Sequence, residues 1–258
     1  MPDISSASNA KIKSIKRLLA DKKYRSREAS YVVEGTRWMS EVAQSGDHLK
    51  FWIATEEWLT KNQGLANNIT EQNSSPITVE PQILKQIADT ETPSGVLAVL
   101  NQPNISWPIN PTFLLLLDQI KDPGNMGTLI RSALAAGVDG IIQGPGCVDP
   151  FNPKVVRSSM GAIMRLPIRQ TTWKDGAHLW GNCKIYLADA DGEIAYTDAD
   201  WKVPAAIMIG GEADGASLEA KELVHHMISI PMAQDSESLN AGVAGSIILF
   251  EARRQHSV

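Results

Sequence analysis

The sequence predicts an α/β protein in two parts, a small α/β domain followed by a larger domain built on a parallel sheet. Three observations predict it. Short apolar runs bounded by turn residues alternate with helical patterns along the whole chain. In the second part those runs are continuous rather than alternating, the pattern of strands covered on both faces. Between the parts lies N-Q-P-N-I-S-W-P-I-N-P at 101–111, where three prolines and three asparagines disfavour both helix and central strand. The expected division is therefore 1–100, a linker at 101–111, and 112–258.

In order along the first part, I-K-S-I-K-R-L-L-A (12–20) predicts a helix, Y-V-V-E (31–34) a strand and T-R-W-M-S-E-V-A (36–43) a helix. L-K-F-W-I-A (49–54) predicts a strand, and T-E-E-W-L (55–59) opens a helix capped by Thr55. I-T-V (77–79) predicts a short strand, residues 81–88 a helix with Pro81 near its first position, and G-V-L-A-V-L (95–100) a strand. In the second part, strands are expected at 113–117, 140–143, 184–189, 205–209 and 228–230, and helices at 127–136, 153–164, 217–225 and 238–254, with His225 and His226 ending the third of these. The chain shows no internal repeat and no low-complexity tract.

The 258 residues, 43% hydrophobic and 21% charged, fit a soluble globular protein with enough apolar residues for a core. No apolar run approaches membrane-spanning length, and the amino terminus carries no signal-like core. Two cysteines, Cys147 and Cys183, exclude a disulfide scaffold and fit a cytoplasmic location; neither is assigned chemistry. The net charge of -5 is unevenly spread. Residues 11–37 hold nine cationic side chains (Lys11, Lys13, Lys16, Arg17, Lys22, Lys23, Arg25, Arg27, Arg37) against three acidic ones. That segment reads either as a face for nucleic acid or as a solvated helix face. Tyr31 and Trp38 beside it read as stacking or core residues, with Trp38 assigned to the core.

Three strand ends carry unusual sequence. D-Q-I-K-D-P-G-N-M-G-T-L-I-R (118–131) gathers Asp122, Asn125 and Arg131 around a proline and two glycines. It reads as a turn capped by Asn125 or as a site at the carboxyl end of a buried strand. G-G-E-A-D-G-A-S (210–217) removes side chains where a strand ends, so that a flat ligand can approach the backbone around Glu212. P-M-A-Q-D-S-E-S-L-N (231–240) leads into the last helix, with Ser236 or Ser238 as a cap and Asn240 in the first turn. Dinucleotide, P-loop and nucleophile-elbow signatures are missing, and no histidine pair has zinc-ligand spacing, so no metal is indicated.

Taken together, in this order and spacing, the three motifs closely resemble those of the SpoU (TrmH) family of RNA ribose methyltransferases in the SPOUT superfamily. N-A-K-I-K-S-I-K-R-L-L, Y-V-V-E-G-T-R-W and T-E-T-P-S-G-V-L-A-V resemble the substrate-binding domain that precedes the catalytic domain in two-domain members. The resemblance implies a trefoil-knotted catalytic domain over 112–258, an RNA-binding domain over 1–100, S-adenosylmethionine as cofactor, and a homodimer. It implies 2′-O-methylation of RNA, with large-subunit ribosomal RNA ahead of transfer RNA or of a non-catalytic RNA-binding role. Arg131 matches the family's catalytic arginine, and Asn125, Glu212, Ser238 and Asn240 match its other polar motif residues. Gly210, Ile230 and Leu239 match its cofactor-binding positions. The sequence departs from the family pattern at Gly211, Ala213, Ala241 and Gly242.

Overall fold

The computed structural model describes residues 2–45, 48–72, 74–88, 90, 92–212, 214–233 and 238–256. The chain divides into two compact units, one of residues 1–103 with 151–157, the other of 104–150 with 158–258.

The first unit runs α1 (Ala10–Ala20), α2 (Lys22–Glu28), β1 (Ser30–Glu34), α3 (Thr36–Ser45), β2 (Leu49–Ala54), α4 (Glu56–Lys61), α5 (Gln63–Gln72), β3 (Ile77–Thr78), α6 (Pro81–Ile87) and β4 (Val96–Asn101). Its sheet has the order β1-β4-β2-β3. β4 pairs antiparallel with both neighbours, and β3 joins β2 in parallel. Helix α1 forms because Ile12, Ile15 and Leu18 recur at helical spacing, and that stripe is buried with Val32, Ile53 and Leu97. Thr55 caps α4 as expected, accepting from Trp58 N at 3.2 Å.

Helices α2 and α5 were not anticipated. Asp21 starts α2 by accepting from the backbone N–H groups of Lys23 and Tyr24, a local cap inside a segment that reads only as charge. One of the nine cations is structural. Arg25 is buried, and its Nη1 donates to the carbonyls of Leu18 at 2.7 Å and Leu19 at 3.2 Å, satisfying the open end of α1. Trp38 is buried, as expected. Tyr31 is fully buried too, which removes it as a stacking surface; its ring packs on Phe151 at 5.1 Å. Burial, with no partner for its hydroxyl among the described residues, pushes its phenol far above the usual tyrosine range.

The second unit contains β5 (Phe113–Leu117), α7 (Pro123–Ala136), β6 (Gly140–Gln143), β7 (Ile168–Gln170), β8 (Lys184–Ala188), β9 (Ile194–Ala195), β10 (Ala205–Ile209), α9 (Leu218–Lys221), β11 (His226–Ser229) and α10 (Ala241–His256). The helix between β6 and β7, α8 (Pro153–Ser159), begins in the stretch 151–157 that clusters with the first unit. The sheet is parallel throughout, in the order β7-β6-β5-β10-β8-β11-β9. Every residue of β5, β6 and β10 is buried, which is why these strands read as unbroken apolar runs. Strand β10 returns to fill the place between β5 and the earlier β8, and β11 then lies beyond β8. The linker is pinned by Trp107, whose Nε1 donates to the Leu179 carbonyl at 2.9 Å.

Several boundaries differ from expectation. Helix α7 starts at Pro123 rather than 127, because Asp122 caps it by accepting from Asn125 N at 2.7 Å and Pro123 suits its first position. The helix expected over 153–164 stops at Ser159, where Met160 (φ 52°) and Gly161 (φ 88°) turn left-handed; a short 3-10 turn, Ala162–Met164, follows. His225 does not end a helix. Its Nδ1 accepts from Ile185 N at 3.1 Å, and His226 opens β11. The edge strands β7 and β9 are three and two residues long, too short to leave a periodic signal.

Helices α7 and α10 pack closely because glycines face the contact. A side chain at Gly245 would place its Cβ 2.3 Å from Leu129 Cδ2. Leu129 and Ile209, the next neighbour, are buried in the core. Gly245→Ala is expected to cost about 1–3 kcal/mol by overpacking. Urea unfolding followed by circular dichroism checks this; a loss well under 1 kcal/mol would show that the helices separate freely.

Candidate active site

The parallel register brings four strand ends to one edge of the sheet. Ile209 lies beside Leu117 on one side and Ala188 on the other, and Ala188 lies beside Ile228. The loops after β5, β8, β10 and β11 therefore leave together, the setting in which open α/β sheets build their sites. The loop after β8 was not anticipated; its signal was the acidic run D-A-D-G (189–192) directly past an apolar strand.

The ends of β8, β10 and β11, with the start of α10, line a cavity of about 420 Å³. Gly210, Ile230 and Leu239, the three expected cofactor positions, all line it. So do Glu212 and Ser238. Apolar walls come from Ile209, Ile228 and Ile248, and the newly found Asp189 adds a carboxylate. No cationic side chain lines the cavity among the described residues.

The 210–217 loop is folded tightly on itself. Gly211 and Gly215 exchange backbone hydrogen bonds of 3.0 and 3.1 Å, and Gly215 has a φ of 65°. A Cβ at Gly210 would lie 2.4 Å from Ala216 N, so the loop closes only around a bare backbone. Gly211, one of the departures from the family pattern, packs against Gln119; a Cβ there would lie 2.8 Å from its carbonyl oxygen. Ala213, another departure, lies outside the described residues, as does Ser236.

Of the five polar candidates, Glu212 and Ser238 line the cavity, Asn125 and Asn240 stand behind it, and Arg131 is apart from both groups. Asn125 does not cap α7. It sits in the first turn, buried, and its Nδ2 donates to Glu212 Oε1 at 2.6 Å, tying the first motif to the second. Asn240 is not in the first turn of the last helix but caps it, its Oδ1 accepting from Val243 N at 3.2 Å; Ser238 lies two residues before that cap. A Cβ at Gly242 would lie 3.2 Å from Oδ1 of both Asn125 and Asn240, so this glycine lets the first and third motifs meet. Arg131 stands apart. It is exposed, outside the cavity lining, and its side chain makes no hydrogen bond or ion pair among the described residues. It follows Asn125 by six residues, about 9 Å along the helix and on a different face.

Sequence reasoning missed Asp118. Its carboxylate is fully buried and accepts from Trp173 Nε1 at 2.8 Å and from Ser217 N at 2.7 Å. Cys147 and Cys183 carry no signs of reactivity, since burial pushes both thiols up to about 11. The described residues contain no cluster able to hold a metal ion, and no described helix is long and apolar enough to cross a membrane.

Comparison with known proteins agrees with this geometry. Residues 112–250 match the SpoU rRNA Methylase family, and residues 9–98 match the MRM3-like substrate binding domain. An uncharacterized tRNA/rRNA methyltransferase of Synechocystis sp. is 33% identical over 98% of this chain and 93% of its own. The 23S rRNA (uridine(2479)-2'-O)-methyltransferase of Streptomyces viridochromogenes is 31% identical over 96% of this chain and 90% of its own. The crystal structure of an AdoMet-bound rRNA methyltransferase from Sinorhizobium meliloti superposes with a TM-score of 0.85 at 28% identity, covering 97% of both chains. With matched motifs, matched architecture and a family match over most of its second unit, the chain belongs to the SpoU rRNA methylase family.

Proposed function

We propose that the chain transfers the methyl group of S-adenosylmethionine to a ribose 2′-hydroxyl of RNA, with large-subunit ribosomal RNA as the substrate. The observation that carries this reading is the glycine-walled cavity at the sheet edge, joined to the Asn125–Glu212 pair. The residues fit the cofactor. The volume falls within the range of about 300–1,000 Å³ usual for small-molecule sites. The bare backbone at Gly210, Gly211 and Gly215, with Ile230 and Leu239, suits a flat base, and the carboxylates of Asp189 and Glu212 suit a positively charged ligand. Bound there, the cofactor supplies a methyl group on a sulfonium, whose leaving group is neutral.

The chain's own residues then have to align an oxygen nucleophile and give its proton somewhere to go. Arg131 has five donors in a planar fork, suited to grip the phosphate beside the target ribose and to hold the hydroxyl in line. Ser238 and Asn240 orient the ribose by hydrogen bonds. Glu212, anchored by Asn125, orients polar groups at the cavity and is not the primary base.

Two observations support a homodimer as the working unit. Val243, Ile247 and Phe250 form an exposed apolar stripe on α10, with Phe250 51% exposed. Arg131 lies off its own chain's cavity, so a second copy is the natural source of the arginine at each site. The amino-terminal domain supplies affinity for RNA. Lys11, Lys13, Lys16 and Arg17 of α1 and Lys22, Lys23 and Arg27 of α2 are exposed around the buried Arg25.

The direct test incubates the protein with labelled S-adenosylmethionine and total RNA from cells lacking the gene, then maps label and alkali-resistant linkages. Label in 23S rRNA is expected. Label confined to tRNA would redirect the substrate, and no label in any RNA would remove the reading. Arg131→Lys is expected to lower the rate by about 100-fold or more through lost alignment, with cofactor affinity within about twofold. Full activity in that variant would sink a role for the guanidinium fork. Phe250→Glu is expected to give monomers in sedimentation and to abolish turnover; a fully active monomer would refute the dimer. Lys13→Glu with Lys16→Glu should weaken RNA binding and lower its salt slope by about 1–2. An unchanged slope would place the RNA elsewhere.

A further inference from the structure

The cofactor loop is held at both of its ends by one residue. The backbone N–H of Asp118 donates to the carbonyl of Ile209 at 3.0 Å, where the 210–217 loop begins. Its Oδ2 accepts from the backbone N–H of Ser217 at 2.7 Å, where the loop ends. Between these two anchors lie Gly210, Gly211 and Gly215, which line the cavity. Oδ1 of the same carboxylate accepts from Trp173 Nε1 at 2.8 Å. That indole fills the space over Gly144, where a Cβ would lie 2.3 Å from its ring, so the third anchor is itself rigidly packed. The next residue, Gln119, is left-handed at φ 56° and turns its carbonyl against Gly211. Asp118 shows no exposed surface.

A buried carboxylate is retained only where its acceptors are met by donors. Here both partners are N–H groups, and only a side chain with two acceptor oxygens satisfies both. An amide of the same shape would turn an NH₂ towards one of them. These contacts call for an acid rather than asparagine, and an apolar residue would leave both N–H groups without their acceptor. From these contacts we infer that Asp118 is a positioning residue for the cofactor site: it fixes Ile209 and Ser217 relative to one another, and so the placement of Gly210, Gly211 and Gly215 at the cavity. The inference rests on the reading of the cavity as the S-adenosylmethionine site.

Isothermal titration calorimetry with S-adenosylmethionine and with S-adenosylhomocysteine, at a temperature where each variant is folded, tests it. Wild-type protein that binds neither would overturn the functional reading itself. If wild-type protein binds, Asp118→Asn is expected to weaken both by about tenfold, the scale of one charge-assisted hydrogen bond replaced by two opposed donors. KM for the cofactor should rise in parallel while kcat at saturation stays within about threefold. Trp173→Phe, which keeps the carboxylate and removes one anchor, is expected to weaken binding by about threefold. In the double variant the phenyl ring no longer opposes the amide, so Asp118→Asn with Trp173→Phe should bind more tightly than Asp118→Asn alone. Cofactor affinity within twofold of wild type in folded Asp118→Asn would overturn the inference, as would a double variant whose losses simply add. If Asp118→Asn does not fold, Trp173→Phe decides: weakened binding supports the positioning role and unchanged binding overturns it.

Discussion

The second unit depends on the in-register parallel pairing of β10 with β5 on one side and β8 on the other. Ala205 to Ile209 match Phe113 to Leu117 and Lys184 to Ala188 residue for residue. The three central strands β6, β5 and β10, buried on both faces, are almost wholly apolar, so little chemistry can sit within them. Chemistry is displaced to the strand ends, and equal registers put those ends level. The loops must then share a narrow edge, with strands about 4.8 Å apart. Glycine is what lets them do so. At Gly210, Gly211 and Gly192 the space for a Cβ is taken by backbone of the loop itself, of Gln119, or of β11. The glycines follow from crowding at the edge, and the bare backbone they leave is what a flat ligand can use.

Helix ends do the second part of the work. Asp122 takes the role of cap on α7, which frees the side chain of Asn125 to point away from its own helix and bond Glu212. Gly124 follows from the same cap, because a Cβ there would lie 2.9 Å from Asp122 Oδ1. At the start of α10, Asn240 caps and Gly242 leaves room for Asn125. Ser132 and Ser246 bond one another at 2.7 Å further along the same contact. Small residues on facing helices therefore set how closely the first and third motifs approach.

This division explains what was legible in the sequence. Of the five strands predicted in the second unit, β5, β6 and β10 were readable because burial on both faces leaves an apolar run, and the order of the motifs at the strand ends identified the family. The three cofactor positions were carried by that resemblance, and each lines the cavity. Local chemistry misled where tertiary contacts compete. Asn125 has the composition of a cap, yet Asp122 lies one turn earlier and wins the backbone N–H. Tyr31 sits beside a basic, polar stretch, but its strand is buried over Ser30 to Val33 without alternation, and Tyr31 with it. His225 and His226 look like a helix terminus until one imidazole is seen to serve as acceptor for Ile185. Asp118 was illegible for a different reason. A lone acid after a strand reads as solvent-facing loop, and its two donors lie 55 and 99 residues away.

Charge is sorted in the same way as polarity. The cavity carries carboxylates and, among the described residues, no cation, whereas Arg131 and the exposed lysines and arginines of α1 and α2 lie outside it. For a reaction between a cationic small molecule and a polyanion, this sorting has a physical advantage. A cation inside the cavity would repel the sulfonium and attract stray phosphate, while carboxylates at the RNA face would repel the substrate. With the cation and the carboxylate-lined cavity apart, each can be tuned to its own charge without weakening the other. Within α7, Asn125, which bonds the cavity residue Glu212, and Arg131 lie on different faces. The arginine's exposure keeps its charge out of its own chain's cavity and leaves the guanidinium free to meet a phosphate outside it.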